Sequence, residues 1–176
     1  MNCLKKKILY LLTTLIISEH IDAIEPKKIG DALLVLIPYI TLGTALYYDN
    51  QEGQMQFYKS FTANALATYG LKYGVDRKRP NGERYSFPSG HTSATFQSAS
   101  FIHKRYGFKY AIPTYIGATF VGYSRVDAHV HYTSDVIAGA IIGSLSSFYF
   151  TTHYKNFTIN PILIRSGYGV GIKKTW

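Results

Sequence analysis

The fold of this chain is predicted by its long uncharged segments, and the last of them reads VIAGAIIGSLSSFYFTT over residues 136–152. Within it Gly139 and Gly143 are four residues apart, a spacing of small residues that lets helix backbones approach closely. Earlier uncharged segments cover residues 32–48, 60–71 and 110–124. A membrane-spanning helix needs about 17–25 apolar residues, so two of the four segments reach the lower limit and the others fall short of it.

Turn-forming residues divide these segments into an all-α bundle of about five to six helices. Arg79-Pro80-Asn81-Gly82 is a strong turn signal, and Phe87-Pro88-Ser89-Gly90 opens the next helix. The tail from Phe157 to Trp176 loses the helical pattern, and we expect it to be extended. Five core helices are predicted at about residues 30–48, 54–74, 89–106, 110–124 and 133–153. The helical core therefore spans about 30–153 in a single domain.

Composition limits the classes of protein to consider. The chain has 176 residues, of which 47% are hydrophobic and 16% are charged. Disordered chains combine few hydrophobic residues with many charged ones. Here the hydrophobic fraction is high and the charged fraction is below the usual value of about 25%, so a disordered chain is excluded. The single cysteine, Cys3, excludes an internal disulfide framework and any cysteine-based metal site. Nineteen basic against ten acidic residues give a net charge of +9, which favours phosphates, anionic lipid headgroups or nucleic acid as partners.

The N-terminus has the pattern of a targeting segment. Lys5, Lys6 and Lys7 precede the uncharged stretch 8–18, which is typical of a secretory signal peptide. The residues before the expected cleavage point, Ile21 and Ala23, do not form an Ala-x-Ala site, so an uncleaved membrane anchor is the alternative. We predict that residues 1–23 are a signal peptide or an N-terminal anchor and that residues 24–176 form the functional domain.

The first of three polar motifs runs from Lys72 to Arg79-Pro80. Its two cations fall at the end of a predicted helix and in the following turn, where they can hold two oxygens of a phosphate, the arginine in a bidentate way. Taken alone, the run Arg77-Lys78-Arg79 is more typical of a solvated basic surface.

The second motif is Pro88-Ser89-Gly90-His91. It lies at a predicted helix N-terminus, where free backbone N–H groups and the helix dipole favour an anion. Gly90 allows a ligand to approach the backbone, and the Ser89 hydroxyl can donate a further hydrogen bond. The alternative is that Ser89 is an ordinary N-cap.

The third motif contains Ser124-Arg125, His131 and Asp135. His131 and Asp135 are four residues apart, so they share a face if the helix begins near them. An aspartate on one imidazole nitrogen fixes the tautomer and leaves the other nitrogen free for nucleophilic attack. The alternative is a favourable charge in a first helical turn, and His129 lacks the four-residue spacing.

Together the motifs supply three cations, two histidines, a serine and an aspartate, which phosphoryl transfer through a phosphohistidine requires. The sequence contains neither a P-loop nor a His-Glu-x-x-His motif. Near the motifs Asp127 and Asp135 are the one acidic pair, so we do not expect a two-metal carboxylate site.

The pattern Lys-x6-Arg-Pro, Pro-Ser-Gly-His and Ser-Arg-x5-His-x3-Asp resembles the type 2 phosphatidic acid phosphatase superfamily, in its bacterial envelope lipid phosphatase branch. The resemblance runs from Lys72 to Asp135. It implies an all-helical bundle with the active site at one end and an activity without metal or other cofactor. It also implies that His131 is the nucleophile, Asp135 its orienter and His91 the general acid. The implied phosphate cradle consists of Lys72, Arg79, Ser89, Gly90 and Arg125.

The resemblance implies a substrate that is a phosphorylated lipid: phosphatidate, phosphatidylglycerophosphate, an isoprenyl diphosphate or lipid A. We expect a bacterial envelope location with an extracytoplasmic site at a membrane surface, and no nucleic-acid partner. Two alternatives stay open. One is a soluble periplasmic acid phosphatase that acts on small phosphomonoesters, and the other is a non-catalytic protein that binds phosphorylated headgroups.

Overall fold

The computed structural model describes residues 25–48, 51–154, 157–164 and 167–174. Two strands at the C-terminal end, β1 (Phe157–Ile164) and β2 (Gly167–Lys174), pair in antiparallel fashion. The helices before them are α1 (Pro26–Tyr48), α2 (Gln51–Val75), α3 (Gly90–Tyr106), α4 (Phe108–Asp127) and α5 (Thr133–Phe150). The predicted all-α bundle with an extended tail is confirmed. The predicted signal peptide or anchor, residues 1–23, lies outside the described residues.

Helix α1 begins at Pro26, about four residues earlier than the sequence predicts. Proline is favoured at the first helical position because its missing N–H needs no partner there and its φ is already helical. The Lys28 N–H donates to the carbonyl of Glu25 at 2.9 Å. The earlier start places Lys27 and Asp31 in the first two turns of the helix.

Helix α3 is the centre of the bundle and contacts each of the other four helices. Helix α5 approaches it through two glycines. A Cβ at Gly139 would lie 2.5 Å from the carbonyl oxygen of Ser89, and one at Gly143 would collide with the carbonyl of Ser93. The close approach that the Gly-x-x-x-Gly spacing predicts is confirmed, and any larger side chain there would push α5 away from α3.

Polar side chains fill much of the interior between these helices. Gln97 on α3 donates from Nε2 to the Ser60 hydroxyl of α2 at 2.8 Å. Ser147 on α5 donates to the backbone carbonyl of Gln97 at 2.6 Å. At the end of α3, Phe101 packs edge-on against Phe57, with ring centroids 5.3 Å apart. Hydrogen bonds as well as apolar packing therefore hold the helices in register.

Helix α2 ends at Val75 because Asp76 adopts a left-handed conformation with φ of 44°. The Asp76 N–H donates to the carbonyl of Lys72 at 3.2 Å, which closes the last turn. Residues 76–89 then cross one end of the bundle and lead into α3. We call this end, where α1, α3 and α5 begin and α2 and α4 finish, the site end. All the predicted site residues lie there.

Candidate active site

A cavity of about 690 Å³ opens at the site end. Residues of α1, α2, α3 and α4 line it, together with residues of the segment between α2 and α3 and of the segment between α4 and α5. Six of the eight predicted site residues are on its wall: Lys72, Arg79, Gly90, His91, Arg125 and His131. The other two, Ser89 and Asp135, are fully buried behind the wall. The structure thus brings the three motifs to one place.

His131 and Asp135 meet in a way that helical spacing does not explain. Helix α5 begins at Thr133, so His131 precedes the helix and Asp135 lies within its first turn. The backbone N–H of His131 donates to the backbone carbonyl of Arg125 at 3.2 Å, and this hydrogen bond connects the segment before α5 to the end of α4. Nδ1 of His131 then lies 3.6 Å from Oδ2 of Asp135. This separation is longer than a hydrogen bond, and within the described part of the chain buried Nδ1 has no hydrogen-bond partner.

The carboxylate of Asp135 accepts hydrogen bonds from three groups other than the His131 ring. Its Oδ2 accepts the Tyr132 N–H at 2.9 Å and the Ser86 hydroxyl in a short hydrogen bond. Its Oδ1 accepts Nη1 of Arg77 at 3.0 Å. The Arg77 guanidinium also lies over the Tyr132 ring, 4.1 Å from its centroid. The Asp135 side chain is therefore held in a fixed position behind His131.

Arg77 and Ser86 are contacts of this site that sequence reasoning missed. Arg77 is part of the basic run that, taken alone, is more typical of a solvated surface, and its neighbour Lys78 is indeed exposed. No local spacing distinguishes the two side chains, because Asp135 is 58 residues away from Arg77.

The environment of His131 favours its neutral form. Burial first, and then the positive charges of Lys72 and Arg79, lower the pKa of His131 to about 4, although Asp135 acts in the opposite direction. At neutral pH the imidazole is uncharged. Since Nδ1 faces Asp135, Nε2 is the nitrogen available to an electrophile.

The two cations of the first motif are held at the same wall. Lys72 donates from Nζ to the carbonyl of Tyr85 at 2.9 Å, and Tyr85 adopts a left-handed conformation with φ of 61°. Arg79 donates from Nη1 to Oε2 of Glu83 at 3.1 Å. The Nε of Arg79 is buried and pairs with no group among the described residues. Both cations keep donor capacity for an anion.

The N-terminus of α3 points its first turn at the cavity. Gly90 lines the wall, and a Cβ there would lie 3.6 Å from Cε of Lys72. The Ser89 hydroxyl accepts hydrogen bonds from the backbone N–H of Thr92 at 3.4 Å and from its hydroxyl at 3.0 Å, which is N-cap geometry. A contact between Ser89 and phosphate stays a prediction.

Helix α1 contributes a residue that no motif contains. Oδ1 of Asp31 accepts Nη1 of Arg125 at 2.7 Å and lies 3.1 Å from Nε2 of His91. The carbonyl of Lys27 accepts Nη2 of Arg125 at 2.7 Å. Sequence reasoning missed Asp31 because it lies 94 positions before Arg125 and in an otherwise apolar predicted helix.

The pKa of His91 is lowered from its usual value, first by burial and then by the charge of Arg125. Asp31 acts in the opposite direction by charge and by hydrogen bonding. Within the described ranges no three His, Cys, Asp or Glu side chains are grouped so that they could hold a metal ion. The arrangement presents cations, a helix N-terminus and two imidazoles to an anion of the size of a phosphate.

The sequence is similar to those of known proteins. The PAP2 superfamily model matches residues 9–159. A lipid A 4′-phosphatase of Helicobacter pylori is 29% identical over 170 residues, and the alignment covers 85% of each chain. A lipid A 1-phosphatase of Porphyromonas gingivalis is 41% identical over 78 residues, which are 42% of this chain and only 18% of that protein.

The fold also has a solved counterpart. The crystal structure of LpxE from Aquifex aeolicus superposes with a TM-score of 0.56 and 22% sequence identity. The match covers 68% of this chain and 84% of that chain. At this level of identity the similarity establishes the shared helical fold.

Proposed function

The chain belongs to the PAP2 superfamily, and we propose that it is a lipid phosphatase that acts through a phosphohistidine on His131. The observation that carries this proposal is the placement of His131. A buried imidazole with a pKa of about 4 lies on the wall of a cavity that Lys72, Arg79 and Arg125 also line. A neutral imidazole beside a fixed carboxylate is an activated nucleophile.

In the first step Nε2 of His131 attacks phosphorus, and the bond from phosphorus to the leaving oxygen breaks. His91 gives its proton to that oxygen, so the product leaves as an alcohol. Asp135 stabilises the positive charge that develops on His131. The cations and the N-terminus of α3 stabilise the equatorial oxygens of the transition state.

In the second step a water molecule attacks the phosphohistidine. His91, now neutral, accepts a proton from the water, and the bond from phosphorus to Nε2 breaks. Inorganic phosphate leaves, and both histidines return to their starting protonation states. The protein groups therefore account for every proton in the cycle.

We further propose that the phosphate belongs to a lipid, with lipid A as the first candidate. The relatives named above are a lipid A 4′-phosphatase and a lipid A 1-phosphatase. Beside the polar groups, the cavity is lined by the apolar side chains of Leu34, Phe61 and Ala65. An acyl chain can lie on such a wall while the phosphate occupies the cradle.

The outer surface of the bundle supports a place in the bacterial envelope membrane, with the site end at an interface. Of the described helices, α1 is the one long and apolar enough to cross a membrane by length and composition. Helix α5 exposes the aliphatic side chains of Ile137, Ile141 and Leu145, and helix α4 exposes Ile116.

Exposed aromatic side chains accompany them, Tyr39 and Tyr47 on α1 and Tyr58 and Tyr73 on α2 among them. Tyrosine has an apolar ring and a polar hydroxyl, so it is favoured at the boundary between lipid and water.

A substrate panel tests the proposal. The purified protein is assayed in detergent and chelator for phosphate release from lipid A, phosphatidate, an isoprenyl diphosphate and p-nitrophenyl phosphate. We expect the highest kcat/KM on a lipid phosphate, full activity in chelator and inhibition by vanadate, which imitates the five-coordinate transition state.

Preference for p-nitrophenyl phosphate over every lipid would favour a soluble acid phosphatase instead. Binding of the lipids without phosphate release would favour a non-catalytic headgroup-binding protein. Loss of activity in chelator, restored by added Mg²⁺ or Zn²⁺, would contradict the metal-independent mechanism.

A further inference from the structure

Asp31 contacts the general acid and the phosphate cradle at the same time, although no sequence motif contains it. Its Oδ1 lies 3.1 Å from Nε2 of His91 and 2.7 Å from Nη1 of Arg125. We propose that Asp31 is a positioning residue that favours the protonated form of His91 and holds its ring in place for transfer of a proton to the leaving oxygen. This inference rests on the proposed phosphatase function.

The position of Asp31 is set by the packing of α1 against the end of α4. A Cβ at Gly30 would collide with the Ser124 hydroxyl, so the α1 backbone lies directly on this part of α4. The Lys27 carbonyl, one turn before Asp31, accepts Nη2 of Arg125 at 2.7 Å. Two contacts besides the carboxylate itself therefore hold α1 at the cradle.

Burial and the positive charges of Arg125 and Arg79 oppose protonation of His91, and the negative charge of Asp31 acts against them. The other titratable groups around His91 include neutral His131, and the charged side chains on the cavity wall are the cations Lys27, Lys72, Arg79 and Arg125 and the carboxylates Asp31 and Glu83. Glu83 is paired with Arg79 at 3.1 Å. Asp31 is the carboxylate in contact with His91 among the residues that the structure describes.

The consequence for the reaction concerns the proton that His91 gives to the leaving oxygen. Burial and Arg125 favour a neutral His91, which cannot protonate the leaving oxygen. The negative charge of Asp31 stabilises the imidazolium before the first step and again after the second. Asp31 exchanges no proton itself. Its effect on kcat is therefore expected to be largest for substrates whose leaving group must be protonated.

The test compares two substrates in the Asp31→Asn variant, which keeps the shape and an oxygen acceptor but removes the charge. With phosphatidate, whose leaving group is an alkoxide, we expect kcat to fall about 10- to 100-fold, against the about 10²- to 10⁴-fold that a general acid supplies. With p-nitrophenyl phosphate the fall is expected to be severalfold at most, because nitrophenolate leaves without a proton. The alkaline limb of the pH–rate profile should move to lower pH.

Two further variants complete the design. Asp31→Glu keeps the carboxylate and should recover much of the phosphatidate turnover that Asp31→Asn loses. Glu25→Gln removes the same charge from the start of α1, where Glu25 is paired with Lys28 at 3.6 Å, and should behave as wild type.

Several outcomes would overturn the inference. An equal loss on both substrates would indicate a structural role, and the same is concluded if neither Asp31→Asn nor Asp31→Glu folds while wild type does. Unchanged kinetics would exclude any role. Tighter vanadate binding with undiminished kcat would mean that Asp31 merely competes with the substrate for Arg125. If wild type hydrolyses neither substrate, the proposed phosphatase function fails first, and this inference fails with it.

Discussion

Arg77 donates a hydrogen bond from Nη1 to Oδ1 of Asp135 at 3.0 Å, while Nδ1 of His131 lies 3.6 Å from the other oxygen of the same carboxylate. The Asp135 side chain is completely buried, whereas that of Arg77 is 40% exposed. A buried carboxylate is costly unless it is paired and hydrogen-bonded. Arg77 therefore supplies the ion pair that the buried Asp135 side chain needs behind His131.

Substitution of Arg77 should consequently reduce turnover without any contact to substrate. We expect Arg77→Ala to lower kcat by up to about 100-fold, because Asp135 and His131 lose their fixed geometry. Lys78→Ala removes the same charge from an exposed neighbouring side chain and is the matched control. Steady-state kinetics measure kcat for both variants. An equal fall in kcat would show that the net charge of the segment, and not the contact with Asp135, affects turnover.

The nucleophile can be identified by trapping. His131→Ala should lower kcat by more than about 10³-fold. His129→Ala should retain most activity, since His129 is exposed and its Nδ1 contacts the carbonyl of Asp127 at 2.8 Å. Acid-labile phosphate on His131 in quenched wild-type enzyme is the expected result of mass spectrometry. A label on His129 would overturn the assignment.

The activity should have an acidic pH optimum. His131 must be neutral to attack, and with a pKa of about 4 it is neutral above that pH. His91 must be protonated, and its pKa is below the ordinary value of about 6.5, so its contribution is lost as the pH rises through that lowered pKa. We expect kcat/KM to be bell-shaped, with its maximum between about pH 4 and 6.5. A rate that still increases above pH 8 would contradict these two roles.

Gly139 connects the packing of the bundle to the site. A Cβ there would lie 2.5 Å from the carbonyl oxygen of Ser89 and 3.3 Å from the Ser93 nitrogen. Gly139→Ala should therefore destabilise the fold by about 1–3 kcal/mol and reduce activity as well. Gly70→Ala on α2 meets no atom within 4 Å and should leave both unchanged or raise the melting temperature slightly. Thermal unfolding in detergent with parallel activity assays measures both effects.

The helices could be predicted from the sequence, and so could the helix termini at which the three motifs lie. Uncharged segments interrupted by turn residues are local patterns, and they extend over four of the five described helices. The second motif lies where α3 begins, and Lys72 lies in the last turn of α2. Because the helices of a bundle alternate in direction, such positions meet at one end, which is where the structure brings them together.

The pair of His131 and Asp135 was expected, and the predicted start of the last helix at about residue 133 is confirmed. Because His131 precedes that helix, the condition for a shared helix face is not met. The approach depends instead on the non-helical segment that the Arg125 carbonyl holds at the end of α4. A four-residue spacing does not reveal this contact, because the hydrogen bond to Arg125 joins two segments whose relative position is set by packing.

The residues that hold the two histidines were decided by the tertiary structure alone. Asp31 reaches His91 only because α1 starts early and packs through Gly30 against α4. Arg77 differs from Lys78 only because its side chain extends towards Asp135 across the site end. Local patterns follow from backbone preferences and from the burial of one face, both of which act over a few residues. Which charged groups contact each other depends on how the helices pack. Arg77 and Asp135 are 58 positions apart in the sequence, and Asp31 and His91 are 60 positions apart.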